Sequence, residues 1–106
     1  MAISQTKINT TSIIQVYSSI DNTAVTAIYI CNTSPATIHF SLMVVSLGDE
    51  PSPQQQAIYY SVPITSTDTY VIDTERLILA NGDSIYIEVP DWSSNNIIAT
   101  VSYIGI

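Results

Sequence analysis

The 106 residues hold one histidine, His39, and one cysteine, Cys31, and these are the first place to look for chemistry. A thiol beside an oriented base makes a nucleophile. The two residues lie on segments joined by a short loop, so a pair within one or two positions across a strand ladder is the sharpest enzymatic arrangement on offer. Strand midsections admit substrates poorly, and a buried thiol plus a partly exposed strand histidine accounts for both residues. The chain is therefore read as noncatalytic, with no catalytic residue and no cofactor. A single histidine excludes a His-rich zinc site and a single cysteine excludes a multi-cysteine one. The lone thiol also excludes an internal disulfide.

The acids come next. Asp49-Glu50, Asp68, Asp73 with Glu75, Asp83 and Asp91 fall almost wholly in segments that connect strands. Calcium takes six to eight oxygens, typically from such loops, but no spacing matches the twelve-residue helix-loop-helix pattern. No metal ligand is assigned; solvated charge that favours solubility is the plainer account. Nine acids make some pair at glycosidase separation inevitable, so such a pair discriminates nothing. Gly48, Gly82 and Gly105 are too far apart to build a phosphate-binding loop. Asn9-Thr10-Thr11 and Asn32-Thr33-Ser34 match the glycan acceptor pattern, as chance allows in a chain with 26 Ser and Thr.

Aromatic side chains give a clearer signal. Tyr59 and Tyr60 are adjacent, so on a strand one ring points away from the core. Trp92 stands in a connection beside Asp91. Exposed Tyr and Trp are favoured contact groups, for protein partners or for stacking on sugars. The apolar end of the chain, Tyr103-Ile104-Gly105-Ile106, joins them as candidate contact surface: Tyr59, Tyr60, Trp92, Tyr103, Ile104 and Ile106.

The elements that position these residues read as strands. Ile, Val and Thr number 18, 8 and 12, and β-branched side chains fit a pleated surface better than a helix. Period-2 alternation bounded by turn residues marks strands at 11–19, 24–32, 36–46, 56–62, 69–73, 76–80, 84–89 and 96–106. Residues 1–10 are an N-terminal arm or an edge strand, and 11–106 form one domain. In 36–46 the core face is Ile38, Phe40, Leu42 and Val44; in 84–89 it is Ile85, Ile87 and Val89. Asn81-Gly82 is the strongest hairpin signal and is expected to pair 76–80 with 84–89. Pro51 and Pro53 predict an extended, unpaired path through 48–56, and no helix is expected. Eight strands with one apolar face each are satisfied by two stacked sheets. The expected fold is an all-β sandwich of about eight antiparallel strands, jelly-roll-like, with an immunoglobulin-like connectivity as the alternative.

Charge narrows the function. Nine acids against Lys7 and Arg76 give a net charge of −7, which repels nucleic acid and anionic membranes. No apolar run approaches a membrane span and no signal-peptide pattern opens the chain. Only 10% of residues are charged, well below the usual quarter or so. Uncharged surface is the kind that interfaces favour.

The succession TAVTAIYICNTS, a Pro/Gln loop, IYYSVPI, LILANGDSIYIEV and IIATVSYIGI resembles small bacteriophage virion proteins, especially those from phages of cyanobacteria and other aquatic bacteria. The likeness covers about 90 residues and centres on Leu79, Gly82-Asp83 and Ile85. It implies structural work in the virion after synthesis in the host cytoplasm, as a homo-oligomer bound to other virion proteins. The first reading is a capsid cement or decoration protein bridging adjacent capsid subunits, with the major capsid protein as partner. A neck, baseplate or tail-fibre component is the second, and a carbohydrate-binding module using Trp92 and a tyrosine the third. The apolar C-terminus is expected to be covered by the chain's own arm or by a neighbouring subunit.

Overall fold

A computed structural model describes residues 2–73, 77–93 and 96–106. Among them the elements follow in the order β1 (Ala2–Ile8), β2 (Ile14–Ser18), β3 (Thr23–Asn32), β4 (Ile38–Val45), α1 (Pro53–Gln56), β5 (Ala57–Ile64), β6 (Thr69–Ile72), β7 (Leu77–Leu79), β8 (Ser84–Glu88) and β9 (Ile97–Gly105). The all-β reading holds, and the eight expected strands are all present. The N-terminal segment adds another: β1 runs antiparallel to β9 from Ala2↔Tyr103 to Ile8↔Ile97, so it is an edge strand.

Two antiparallel sheets result. Sheet A runs β1-β9-β3-β6, with β7 also on β3, and sheet B runs β2-β8-β4-β5. β6 lies along Ile28–Cys31 and β7 along Thr23–Val25 of β3, on the side away from β9. The two short strands thus stand end to end as one edge. Only the steps from β4 to β5 and from β6 to β7 stay within a sheet; every other connection crosses between sheets. That winding is the jelly roll, not the immunoglobulin arrangement.

The core lies between the sheets. Ile8, Val25, Ile28, Ile30, Ile97, Ala99 and Val101 from sheet A meet Val16, Ile38, Phe40, Leu42, Ile85 and Ile87 from sheet B. The expected inward faces of β4 and β8 are the observed ones, with Val44 partly buried against the core. Phe40 on β4, Tyr59 on β5 and Tyr70 on β6 join the sheets at one margin, with ring centroids 5.4 to 6.5 Å apart. These edge-to-face and tilted contacts suit the ring quadrupoles.

Two expectations are corrected. Asn81-Gly82 does form a turn, closed by Asp83 N–H donating to Ala80 O at 3.1 Å, with Gly82 at φ +90°. Asn81 does not share the positive φ, so the turn lacks the paired left-handed residues of type I′. It carries the chain from β7 in sheet A to β8 in sheet B rather than pairing them. The second correction is α1. Proline is tolerated in the first helical turn, where its missing N–H has no helical partner to lose, and Pro53 takes that place. Gln56 N–H donates to Ser52 O at 3.0 Å, and Ser52 N–H donates to Gln56 Oε1 at 2.7 Å. α1 lies against β4 and β5. Met43 and Val45, on the outward side of β4, are buried although they lie outside the main core.

Candidate functional site

Cys31 and His39 do not meet. Cys31 is on β3 of sheet A, in register with Ile98 and Thr69, and faces outward because its neighbours Ile30 and Asn32 turn inward. His39 is on β4 of sheet B, between the core residues Ile38 and Phe40, and faces outward on the opposite side of the sandwich. The loop that joins their strands crosses from sheet to sheet, so proximity in sequence does not become a ladder pair.

His39 instead pairs with Asp91. Its Nδ1 lies 2.9 Å from Asp91 Oδ2, and its backbone N–H donates to Asp91 Oδ1 at 3.0 Å. An ionised carboxylate only accepts, so Nδ1 carries the proton of that bond. Partial burial pushes the Asp91 carboxyl up, but the hydrogen bonds from the His39 ring and backbone outweigh it and hold the group below its ordinary value. No sequence spacing announced this contact, which spans 52 positions. Among the described residues no three His, Cys, Asp or Glu side chains converge on a common point.

Asn32 is the most densely bonded polar side chain. Fully buried, it donates from Nδ2 to Ala36 O, Ile64 O and Thr65 O at 2.9 to 3.2 Å. Its Oδ1 accepts from Ser34 N–H and Ser34 Oγ. The acceptor pattern Asn32-Thr33-Ser34 is therefore a structural knot, with its amide nitrogen turned away from solvent. An Asn at a strand end before Ser-Pro is the signal that identifies it, since Asn bonds the backbone two residues on.

The candidate contact residues fall in separate places. Tyr59 points inward against Phe40 and Tyr70, and Tyr60 points out with 59% of its surface exposed, as adjacency on a strand requires. Trp92 is half-buried against the core. Tyr103 is also half-buried and stacks on Tyr17 with centroids 4.5 Å apart. Ile104 is half-buried on the outer side of sheet A. Ile106 is 65% exposed, and its N–H donates to Asn22 O at 3.0 Å. Among the described residues the arm pairs with β9 no further than Tyr103, and Ile106 is left exposed.

Register brings together a surface that residue-by-residue reading missed. On the outer side of sheet A, Gln5, Thr100, Tyr29 and Val71 form one row across the strands, and Lys7, Ile98, Cys31 and Thr69 form the next. Gln5 Nε2 donates to Thr100 Oγ1 at 3.2 Å along the first row. Ile104, Ala24 and Ile78 make another row towards the far end, and Ile3 stands beside Ser102. Ile3, Tyr29, Val71 and Ile78 are all well exposed. Lys7 is the one charged residue on the strands of sheet A. Glu75 lies outside the described residues; the other acids occupy connections, apart from Glu88 on β8.

A scan against protein-family models, a search of curated proteins and a search of solved structures each find no match to this chain.

Proposed function

We propose that the chain is a noncatalytic structural subunit of a bacteriophage virion, acting as a capsid cement or decoration protein that bridges adjacent capsid subunits. One observation carries this reading: the outer side of sheet A is a broad surface with exposed Ile, Val and Tyr, and its strands carry Lys7 as their one charged residue. Exposed apolar side chains gathered on one face mark contact sites, and interface cores are depleted in charged residues and enriched in Tyr. Many copies holding equivalent positions would reinforce a particle by summed weak contacts. The resemblance of the strand succession to small virion proteins supplies the phage context.

The test is deletion of the gene in its phage followed by heating of purified particles. Heads that release DNA at lower temperature, rescued by added protein, are the expected result. Unchanged heads carrying a labelled copy at the neck, baseplate or fibre would move the protein to the second reading. A sugar-binding role would need Trp92 as an open platform, and its half-buried packing against the core favours that reading least. Specific glycan binding lost in Trp92→Ala would reverse this order.

A further inference from the structure

The outer face of sheet A points to a particular occupant. Four strand positions about 4.8 Å apart and roughly nine residues of about 3.3 Å each give a face on the order of 550 Å² in projection. Two such faces together reach the roughly 1,000 Å² that separates a specific interface from an incidental contact. Charge then selects among partners. With nine acids and two basic residues, a second copy of this chain is repelled wherever acids meet acids, and this face has none on its strands.

We infer that two copies pack through the outer faces of their A sheets, about a two-fold axis that runs along the strands between β3 and β9. This deepens the structural-subunit reading and rests on it in taking this face as the working surface. Such an axis superposes each position on the one mirrored across the β3/β9 seam at the same height. Large then meets small: Tyr29 lies over the partner copy's Thr100, Ile98 over its Cys31, and Ile104 over its Ala24. Lys7 on the β1 margin comes over Thr69 on the β6 margin, where the adjoining Asp68 supplies an opposite charge at the rim. Sheets stacked face to face with nearly aligned strands are an ordinary packing mode, and the same patch on both copies is what a two-fold interface uses.

The experiment needs only the purified protein, so its outcome is independent of whether the protein occurs in virions. Sedimentation equilibrium is expected to give twice the 11.6 kDa chain mass. Val71→Glu, at an exposed position, places an unpaired charge in the interface and weakens association about a hundredfold or more. Ile58→Glu, exposed on sheet B, leaves it unchanged, and circular dichroism checks that both variants fold. Orientation is read by mixing Lys7→Cys and Thr69→Cys chains, each also carrying Cys31→Ser, with a short thiol cross-linker. Within one chain these positions are about 14 Å apart, three strand spacings. Linkage of position 7 to position 69 between chains supports the stated axis; linkage of 7 to 7 overturns it. A monomer, a trimer or larger ring, or a Val71→Glu protein that still dimerises overturns the inference.

Discussion

At the scale of single residues, the polar groups that matter most are those the fold has taken out of water. Asn32 holds three backbone carbonyls from two segments, and removing its amide leaves buried acceptors without donors. Asn32→Ala is expected to lower unfolding free energy by about 2–4 kcal/mol, measured by urea titration. Asn32→Asp keeps the acceptor but loses the donated bonds, so it should fare no better. Gly82 is constrained by backbone, since φ +90° costs an L-residue about 1–2 kcal/mol. A Cβ there would also stand 2.8 Å from Leu47 Cδ1, but that side chain is exposed and can move. Gly82→Ala should therefore cost about 1–2 kcal/mol, while Gly105→Ala, with open space around it, should stay within about 0.5 kcal/mol. Asp91 sets a pH dependence. Its carboxyl is depressed in the folded state, so its contribution is present above the unfolded value of about 3.9 and is lost as pH falls through the folded value. The stability gap between the natural protein and Asp91→Asn should close on acidification below about pH 4.

At the scale of elements, β1 is paired with β9 along its length but enters the core through Ile8 alone. Ile8 is fully buried in the core, whereas Ile3 is 67% exposed. Ile8→Ala should cost about 2–5 kcal/mol and Ile3→Ala about 0.5 kcal/mol or less, both read from thermal or denaturant unfolding. Equal losses would mean that the outward-facing Ile3 is covered as well as Ile8. Strand existence was legible because alternation is a local signal: β4 and β8 show their inward faces in the order of their residues. β1 was left open because SQTK lacks an apolar face, and its order comes from pairing with β9, at the other end of the sequence. The Asn81-Gly82 turn was legible as a turn but not as a sheet crossing, because turn chemistry fixes local dihedrals and not the distant partner of the next strand. Pro51 and Pro53 hide the one-turn α1 from a reading of the sequence, and the burial of Met43 and Val45 on the outward side of β4 has no signal in its alternation. Likewise residue type and position along the chain single out the six contact candidates, while the outer face of sheet A is assembled by register from five strands.

At the scale of the whole molecule, net charge and the apolar face oppose each other. Repulsion among the acids opposes association beyond the two-fold pair at neutral pH, and it weakens as the solution approaches the isoelectric point near 4.1. Light scattering across a pH series should peak near that value. A flat profile would mean that the acids do not limit association beyond the pair. The winding of the sandwich also bears on how the protein is made. β3 ends at residue 32 and its full-length neighbour β9 begins at residue 97. At a synthesis rate of about 5–20 residues per second, the middle of sheet A waits roughly 3 to 13 s for its partner strand. Sheet B has all four of its strands by residue 88. The surface that carries Tyr29 and Thr100 is therefore the last part of the sandwich to form, and a nascent chain has no completed face through which to engage a neighbour before its own sandwich is closed.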